Sequence, residues 1–296
     1  MDANVIDTQL VRRLVASQFP CWGSLPLTPV TRQGVDNRTF RLGTDLSVRL
    51  PAGDWYALQV EKEQRWLPAL ASQLPLPIPE PVAQGVPASG YPHPWSVYRW
   101  IDGIPAADAI TGWSPIASAL AEFLTALRRV DHLGGPEPGR HNFFRGAPLS
   151  VYDDQTAAAI DTLGAEIDRA VVERVWSIAT ATSWNQAPVW FHGDVAPTNL
   201  LTGKGQLTAV IDFGTSGIGD PACDTVIAWT HLDTASRATF RRIIGLDNDT
   251  WARGRGWALW KALITLTDQL ENNDDVGASI SRAIINRIVT DAAIGR

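Results

Sequence analysis

The sequence has few cysteines, no long basic run and no long apolar segment, and each of these absences excludes a class of protein. Cys21 and Cys223 are the only cysteines among 296 residues; they are too few for a disulfide framework and lack the spacing of metal ligands. We therefore expect reduced thiols, as in the cytoplasm. The formal charge of −6, without a basic cluster, gives no electrostatic support for a nucleic-acid partner.

The N-terminus and the apolar pattern also disfavour export and membrane insertion. Residues 1–7 contain neither the basic region nor the apolar stretch of a signal peptide, and no apolar run approaches transmembrane length. We expect a cytoplasmic protein with no membrane partner. A hydrophobic fraction of 45% over 296 residues is enough for a large core, in one large domain or two lobes. The acidic balance suits a cationic small substrate.

What the sequence does contain is a pair of acidic motifs at a defined spacing. His192-Gly193-Asp194 is followed by Asn199, and a later apolar run ends in Asp212-Phe213-Gly214. Two apolar stretches separated by Gly203-Lys204-Gly205 lie between Asn199 and Asp212, which predicts a β-hairpin that brings these two residues together. Either tripeptide alone is an ordinary turn sequence. Their order, with the asparagine between them, favours a functional site.

The residue types in these motifs indicate phosphoryl transfer. Asparagine and aspartate supply the oxygen donors that magnesium prefers, whereas histidine and cysteine suit other metals. A hydroxyl that attacks phosphorus must lose its proton, and a carboxylate within hydrogen-bonding reach can accept it. Asp194 is placed for that role, and Asn199 and Asp212 are placed to hold magnesium.

These motifs, together with Gly219-Asp220-Pro221-Ala222-Cys223-Asp224, resemble the aminoglycoside phosphotransferase family, which shares the protein-kinase-like fold with choline and macrolide kinases. The resemblance implies Asp194 as the catalytic base, Asn199 and Asp212 as Mg²⁺ ligands, and ATP or GTP as co-substrate. Looser similarity extends from about Val30 to about Leu266.

The fold that we expect is therefore α+β and bilobal. Residues 1–101 would form a nucleotide-binding lobe with a small antiparallel sheet, one helix and the hinge. Residues 102–296 would form a larger, mainly helical lobe that carries the catalytic hairpin and the acceptor site. In the first lobe, apolar spacing predicts helices over 7–19 and 54–74, with Asp54 as a possible N-cap, and strands over 25–32, 38–42, 46–50 and 95–101. In the second lobe it predicts helices over 115–130, 153–184, 224–245, 251–269 and 275–293.

In the nucleotide lobe, the family resemblance implies a cation on the third strand and an acid on the next helix. Arg49 occupies the position where the family usually has lysine, and its planar fork differs from a lysine point charge. Glu63 is the first choice for its partner, with Glu61 as the alternative. These residues could instead be an ordinary solvated strand residue and exposed helix carboxylates. By alignment with the family's hinge, the Arg99 carbonyl and the Ile101 amide are candidates to bind adenine.

The acceptor is predicted to be a small molecule rather than a peptide. Gly193 stands where protein kinases have arginine, and only residues 215–219 separate the second motif from Asp220, which leaves no room for a peptide platform. Three carboxylates, Asp268, Glu271 and Asp275, would share one helix face if the helix continues through Asn272-Asn273, and they could bind the ammonium groups of an aminoglycoside. The alternative, which the position near a helix end favours, is a solvated helix face.

The loop at residues 139–146 is a second candidate for the rim of the acceptor site, although its arginines do not suit a polycation. The sequence thus predicts a magnesium-dependent kinase that phosphorylates a hydroxyl of an aminoglycoside-like or other antibiotic-type molecule. One alternative is a metabolic kinase for choline, an amino alcohol or a sugar. The other is a catalytically silent kinase-fold protein that binds a ligand, for which Arg49 is the sequence support.

Overall fold

A computed structural model describes residues 6–109 and 112–294. The helices among these residues are α1 (Thr8–Gln18), α2 (Asp54–Ala71), α3 (Ala106–Ala109), α4 (Ser114–Leu127), α5 (Asp153–Leu163), α6 (Arg169–Thr180), α7 (Ile227–Thr230), α8 (Thr234–Ile244), α9 (Asn248–Glu271) and α10 (Asp275–Ile294). The strands are β1 (Leu27–Pro29), β2 (Asn37–Leu42), β3 (Leu46–Pro51), β4 (Pro81–Gly85), β5 (Trp95–Arg99), β6 (Ile104–Pro105), β7 (Val189–Phe191), β8 (Leu200–Gly203), β9 (Gln206–Val210) and β10 (Gly217–Gly219).

The chain divides into two compact units. The first runs to Ala109 and also includes Gly139–Phe143 and Thr198–Thr215, and the other described residues form the second. The predicted lobe boundary after residue 101 stays a prediction. None of the described helices combines the length and the apolar character that a membrane span requires.

The first unit is built on a five-stranded antiparallel sheet in the order β1-β2-β3-β5-β4. Leu14 of α1 packs with Val48 of β3 and Trp95 of β5 in one buried apolar cluster. Alternate residues of β3 face this cluster, because side chains alternate between the two faces of a strand. Arg49 consequently points to the opposite face of the sheet from Val48.

The predicted hairpin forms within the first unit. β8 and β9 pair from Leu200–Val210 to Gly203–Gln206, and β6 pairs with the outer side of β8. Lys204 and Gly205 make the turn with φ of +52° and +76°. The Val210 N–H donates to the Pro77 carbonyl at 3.1 Å, which ties the hairpin to the segment after α2.

The second unit is mainly helical and centres on α9. This helix packs against α5, α6 and α10, while α4 packs against α8. Because α9 is covered on several sides, Trp257 and Leu263 are both buried. The short strands β7 and β10 pair antiparallel beside this helical core.

Two of the predicted long helices are divided in the structure. The range 153–184 contains α5 and α6, separated at Gly164, whose φ of +50° disfavours helix continuation, and α6 begins at its own cap, Asp168. The range 224–245 contains α7 and α8, and Asp233 caps the start of α8. At α2, Gly53 rather than Asp54 occupies the N-cap position, so Asp54 lies in the first turn.

The condition for one acidic helix face at residues 268–275 is not met, and the separately predicted helices over 251–269 and 275–293 correspond to α9 and α10. The helix does not continue through Asn272-Asn273: α9 ends at Glu271, Asn273 adopts a left-handed φ of +57°, and α10 begins at Asp275. Because the chain reverses there, Asp275 belongs to a different helix from Asp268 and Glu271. The three carboxylates do not form a single row along one helix.

Candidate active site

The cation and the acid that were predicted for the nucleotide lie together inside the first unit. Nη1 of Arg49, on β3, lies 3.8 Å from Oε1 of Glu63, on α2. Both side chains are largely buried, with exposed fractions of 15% and 6%. Glu61, the alternative partner, is exposed. The geometry therefore favours Glu63, and Arg49 is not a solvated strand residue.

Further contacts fix this pair in place. The Tyr98 hydroxyl donates a hydrogen bond to Glu63, and the Arg49 guanidinium carbon lies 5.6 Å from the centre of the Tyr98 ring. Burial by itself would lower the pKa of Arg49, but the negative charges of Asp212 and Glu63 outweigh it and raise the pKa above its ordinary value. Arg49 is therefore a permanent cation held in one orientation.

The hairpin brings the two predicted magnesium ligands next to each other. The Ile211 N–H donates to the Asn199 carbonyl at 2.8 Å, so Asn199 and Asp212 lie at the same end of the hairpin. Asp212 has a φ of +67°, in the left-handed region. A non-glycine residue adopts this conformation at a cost of about 1 kcal/mol or more, and such strain is concentrated at functional sites.

The donor set at this end of the hairpin fits magnesium. An amide oxygen and a carboxylate are hard oxygen donors. Nη2 of Arg49 lies 3.1 Å from Oδ1 of Asp212, but a carboxylate accepts several contacts, so this bond leaves capacity for a metal. Among the described residues, no three His, Cys, Asp or Glu side chains form a metal site by themselves. That is compatible with Mg²⁺, which is commonly held by one or two protein oxygens together with phosphate and water.

Lys62 is a residue of this region that the sequence reasoning missed. Its Nζ donates to the Gly214 carbonyl at 2.5 Å, directly after Asp212-Phe213. Burial lowers the pKa of Lys62 to about 7, and the nearby charges of Glu63 and Asp212 offset this only in part. A Cβ at Gly214 would meet the carboxamide of Gln59, so that side chain would have to shift to admit any other residue.

Asp194 lies in the second unit, where the backbone around it is held by a buried carboxylate. The amides of His192 and Gly193 donate to Asp224 at 2.9 and 2.7 Å, and the Asp194 amide donates to Nδ1 of His192 at 3.2 Å. Gly193 has a φ of +86°, which disfavours any residue with a Cβ. Asp224 therefore positions the loop that carries the predicted base.

The Asp194 carboxylate is paired with a cation from α9. Nζ of Lys261 lies 3.3 Å from Oδ1 of Asp194, and about half of the lysine side chain is exposed. Burial would raise the pKa of Asp194, but Lys261, His192 and Arg145 together outweigh it and lower the pKa. Asp194 is therefore ionised at neutral pH.

A pocket that is open to solvent lies beside Asp194 within the second unit. Its walls include Trp257, Trp260 and Lys261 of α9, together with Arg145. The Arg145 guanidinium carbon lies 5.1 Å from the ring centre of each tryptophan, and Nε donates to the Gly193 carbonyl at 3.1 Å. Asp194 thus faces an aromatic pocket with two cations.

The predicted adenine contacts lie at the end of β5. Arg99 pairs with Leu46 across the sheet, and its amide donates to the Glu80 carbonyl at 2.9 Å. Ile101 follows the strand and is half-buried. The roles of the Arg99 carbonyl and the Ile101 amide stay predictions.

Some of the missed residues carry a signal in the sequence. Lys261 is a single charge inside an apolar stretch of α9, Ala258-Leu259-Trp260-Lys261-Ala262-Leu263, where a buried helix would otherwise favour an apolar residue. Lys62 lies in a charged run that is typical of an exposed helix face, so the neighbouring residues gave no indication that it would be buried.

Comparison with known proteins identifies the family to which this chain belongs. The profile of the phosphotransferase enzyme family matches residues 28–257, and the chain belongs to that family. The prediction of an enzyme of the phosphotransferase class is therefore confirmed. No curated protein sequence matches the chain.

Solved structures of antibiotic phosphotransferases share the fold. The GDP and kanamycin complex of APH(2")-IIia is 20% identical, with a TM-score of 0.74, over 95% of this chain and 98% of that chain. The macrolide 2'-phosphotransferase MphH from Brachybacterium faecium is also 20% identical, with a TM-score of 0.61, over 94% of this chain and 97% of that one. ADP-bound APH(2'')-Ib is 15% identical, with a TM-score of 0.61, over 95% and 99%. The predicted α+β protein-kinase-like fold is confirmed.

Proposed function

We propose that this protein transfers the γ-phosphoryl group of ATP or GTP to a hydroxyl of a small molecule in a magnesium-dependent reaction. The observation that carries the proposal is that Asn199 and Asp212 lie at the same end of the hairpin, with the Arg49 guanidinium held 3.1 Å from Asp212. This arrangement suits a metal-bound polyphosphate, because it combines hard metal ligands with a fixed cation.

Each residue has a distinct part in the proposed reaction. Arg49, oriented by Glu63, would bind phosphate oxygens, while Asn199 and Asp212 would hold Mg²⁺. When bound, the metal offsets the negative charge of the phosphate oxygens. Asp194 would orient the acceptor hydroxyl and take its proton as the new oxygen–phosphorus bond forms and the bond from the γ-phosphorus to the bridging oxygen breaks.

For the nucleotide base, we propose that the Arg99 carbonyl and the Ile101 amide bind adenine at the end of β5. Relatives of this fold contain either ADP or GDP, which supports a nucleotide co-substrate and leaves both ATP and GTP as candidates. The first acceptor class that we propose is an antibiotic-type molecule, aminoglycoside-like or otherwise, because the similar structures include a kanamycin complex and a macrolide phosphotransferase.

A metabolic small-molecule kinase is the second candidate, and one observation favours it. Lys261 and Arg145 place two positive charges around Asp194, an arrangement that disfavours a polycation. A catalytically silent binding protein is disfavoured, because Arg49, its support in the sequence, is engaged by both Glu63 and Asp212.

The test is phosphate transfer from radiolabelled ATP and GTP to a panel of aminoglycosides, macrolides, amino alcohols and sugars. We expect a labelled product that forms with Mg²⁺ and does not form when a chelator is added. A protein that binds neither nucleotide in the presence of Mg²⁺, and consumes neither, would contradict the proposal.

A further inference from the structure

The charge of the pocket around Asp194 carries information about the acceptor beyond the general reaction. Two of the side chains that line it, Lys261 and Arg145, are cations, and Asp194 is the acid among the described lining residues. The lining therefore carries a formal excess of one positive charge in a chain whose total formal charge is −6.

The other acids in this region of the second unit do not line the pocket. The Asp224 carboxylate is buried and accepts from the His192 and Gly193 amides. Asp220 is buried against Arg253, with Oδ2 of Asp220 2.6 Å from Nε of Arg253. Asp268, two helical turns beyond Lys261 on α9, is exposed and accepts from Asn272, and it does not line the pocket.

Fold stability does not explain Lys261. Its side chain is 46% exposed and that of Asp194 is 34% exposed, and an ion pair of this kind contributes about 1 kcal/mol or less. The ammonium also lowers the pKa of Asp194, which weakens that carboxylate as a proton acceptor. A cation at this position therefore has a cost for the proposed base and little benefit for folding.

Arg145 is built into the pocket more firmly. Its guanidinium stacks on Trp257 and Trp260, and its Nε bonds the Gly193 carbonyl. An arginine that is oriented in this way presents a planar set of donors, which matches the oxygens of carboxylate and phosphate groups. Trp257, Trp260 and Lys261 follow each other at helical spacing, so α9 places the aromatic wall and the ammonium on one face.

We infer that the acceptor is a small hydroxy compound that carries an anionic oxyacid group, which binds Lys261 and Arg145 while its hydroxyl faces Asp194. This inference rests on the proposed phosphotransfer to a small-molecule hydroxyl and names the acceptor class for the same site, and it favours the metabolic kinase, the second candidate, over an aminoglycoside-like acceptor. Binding of the anion to Lys261 would compete with the Lys261–Asp194 ion pair and raise the pKa of Asp194 toward its ordinary value. Binding of the acceptor would therefore make Asp194 a stronger base for the proton of the acceptor hydroxyl. A polycationic acceptor would instead meet two like charges beside the base.

The experiment uses four sugars with the same ring: glucosamine, glucose, glucuronate and glucose 6-phosphate. They differ in charge, and the last two separate a carboxylate from a phosphate as the anionic group. Affinity for each is measured by calorimetry with wild-type protein, and kcat/KM is measured wherever turnover occurs. We expect at least one of the two anions to bind about tenfold or more tightly than glucose, and glucosamine to bind most weakly.

Charge reversal at the pocket provides the decisive comparison. Lys261→Glu should lower affinity for the preferred anion about tenfold or more and raise affinity for glucosamine, while Lys261→Gln should lie between. Lys261→Gln should also move the acidic limb of the pH–rate profile to higher pH, since the carboxylate of Asp194 loses its nearest cation. Arg174→Glu is the control: Arg174 is exposed on α6, does not line the pocket, and undergoes the same charge change.

The outcomes separate this inference from the proposed function. Consumption of ATP or GTP without any acceptor, compared with and without Mg²⁺, tests the phosphotransfer machinery alone. If nucleotide consumption depends on Mg²⁺ but glucosamine binds as well as the anions, the acceptor inference is wrong and the proposed function stands. A Lys261→Glu protein in which all four affinities change equally would also overturn the inference.

Discussion

Asp212 combines an unusual backbone conformation, an ion pair and a proposed metal-binding role. It has a left-handed backbone, accepts from Arg49, and is proposed to bind Mg²⁺. Aspartate adopts φ of +67° more readily than most residues with a Cβ, but still at a cost, and the hairpin and the Arg49–Glu63 pair hold it in place.

Asp212→Asn tests the metal role without disturbing the backbone, because asparagine tolerates the left-handed region better than most residues. We expect the thermal unfolding temperature to change little and the increase in ATP or GTP affinity on adding Mg²⁺ to disappear. Affinity measured in the presence of a chelator should remain near that of the wild type. Calorimetric titration with and without Mg²⁺ makes the comparison, and a preserved Mg²⁺ effect would remove Asp212 from the ligand set.

Lys62 gives a pH-dependent prediction. The folded protein holds this lysine with a pKa of about 7, below the ordinary value of 10.5, so between these pH values the unfolded chain binds the proton more strongly. The free energy of unfolding should therefore rise with pH across this range and fall as pH drops toward 7. From about pH 7 to about pH 9, the Lys62 contribution should increase stability by about 2 kcal/mol.

Urea denaturation of wild-type and Lys62→Met protein at both pH values isolates that contribution. The variant lacks the titrating group, so its stability should change less with pH than that of the wild type. Parallel pH dependence in the two proteins would show that Lys62 keeps an ordinary pKa.

At the scale of elements, the connection from β10 into the helical core depends on Asp220. Its carboxylate accepts from the Ala222 amide at 3.0 Å and binds Arg253 of α9 at 2.6 Å, and both charged side chains are nearly fully buried. The Asp220-to-Asp224 segment thus links the support of the His192–Asp194 loop to the central helix.

Removing one partner of this buried pair leaves the other charge without compensation. Arg253→Met should lower the free energy of unfolding by about 3 kcal/mol or more. A double variant, Asp220→Asn with Arg253→Met, should recover part of that loss because no charge stays buried alone. Denaturant titration measures both, and a single variant as stable as the wild type would contradict the assigned burial of the pair.

The corner between α9 and α10 offers a second test at this scale. Asn273 adopts φ of +57° where the predicted helix ends. Asn273→Gly should be tolerated, since glycine adopts this conformation freely, whereas Asn273→Val should lower stability by about 1–2 kcal/mol. If valine is tolerated as well as glycine in a thermal melt, Asn273 does not hold the left-handed backbone assigned to it.

At the scale of the whole molecule, the sequence predicts what depends on local order along the chain. Asn199 and Asp212 could be placed together because one hairpin joins them. Arg49 and Glu63 could be paired because only the end of a strand and part of the next helix separate them. Lys261 could not be placed, because its contact with Asp194 spans 67 residues and depends on how α9 packs.

Long separation along the sequence also explains why the contacts that hold the Asp194 loop were not predicted. Asp224 was recognised as part of a family motif, but its bonds to the His192 and Gly193 amides join segments more than 30 residues apart. The helix division at Gly164 was missed because apolar spacing over residues 153–184 does not reveal the positive φ at which α5 ends, whereas the separate helices over 251–269 and 275–293 were predicted.

We propose that this chain is a magnesium-dependent phosphotransferase with Asp194 as its base. The most direct measurement is the rate of γ-phosphoryl loss from ATP and GTP, with Mg²⁺ and with a chelator, in wild-type and Asp194→Asn protein. We expect a rate that requires Mg²⁺ and falls about 100-fold or more in the variant, while nucleotide affinity stays nearly unchanged. Equal rates in the two proteins, or a rate unaffected by the chelator, would contradict the account.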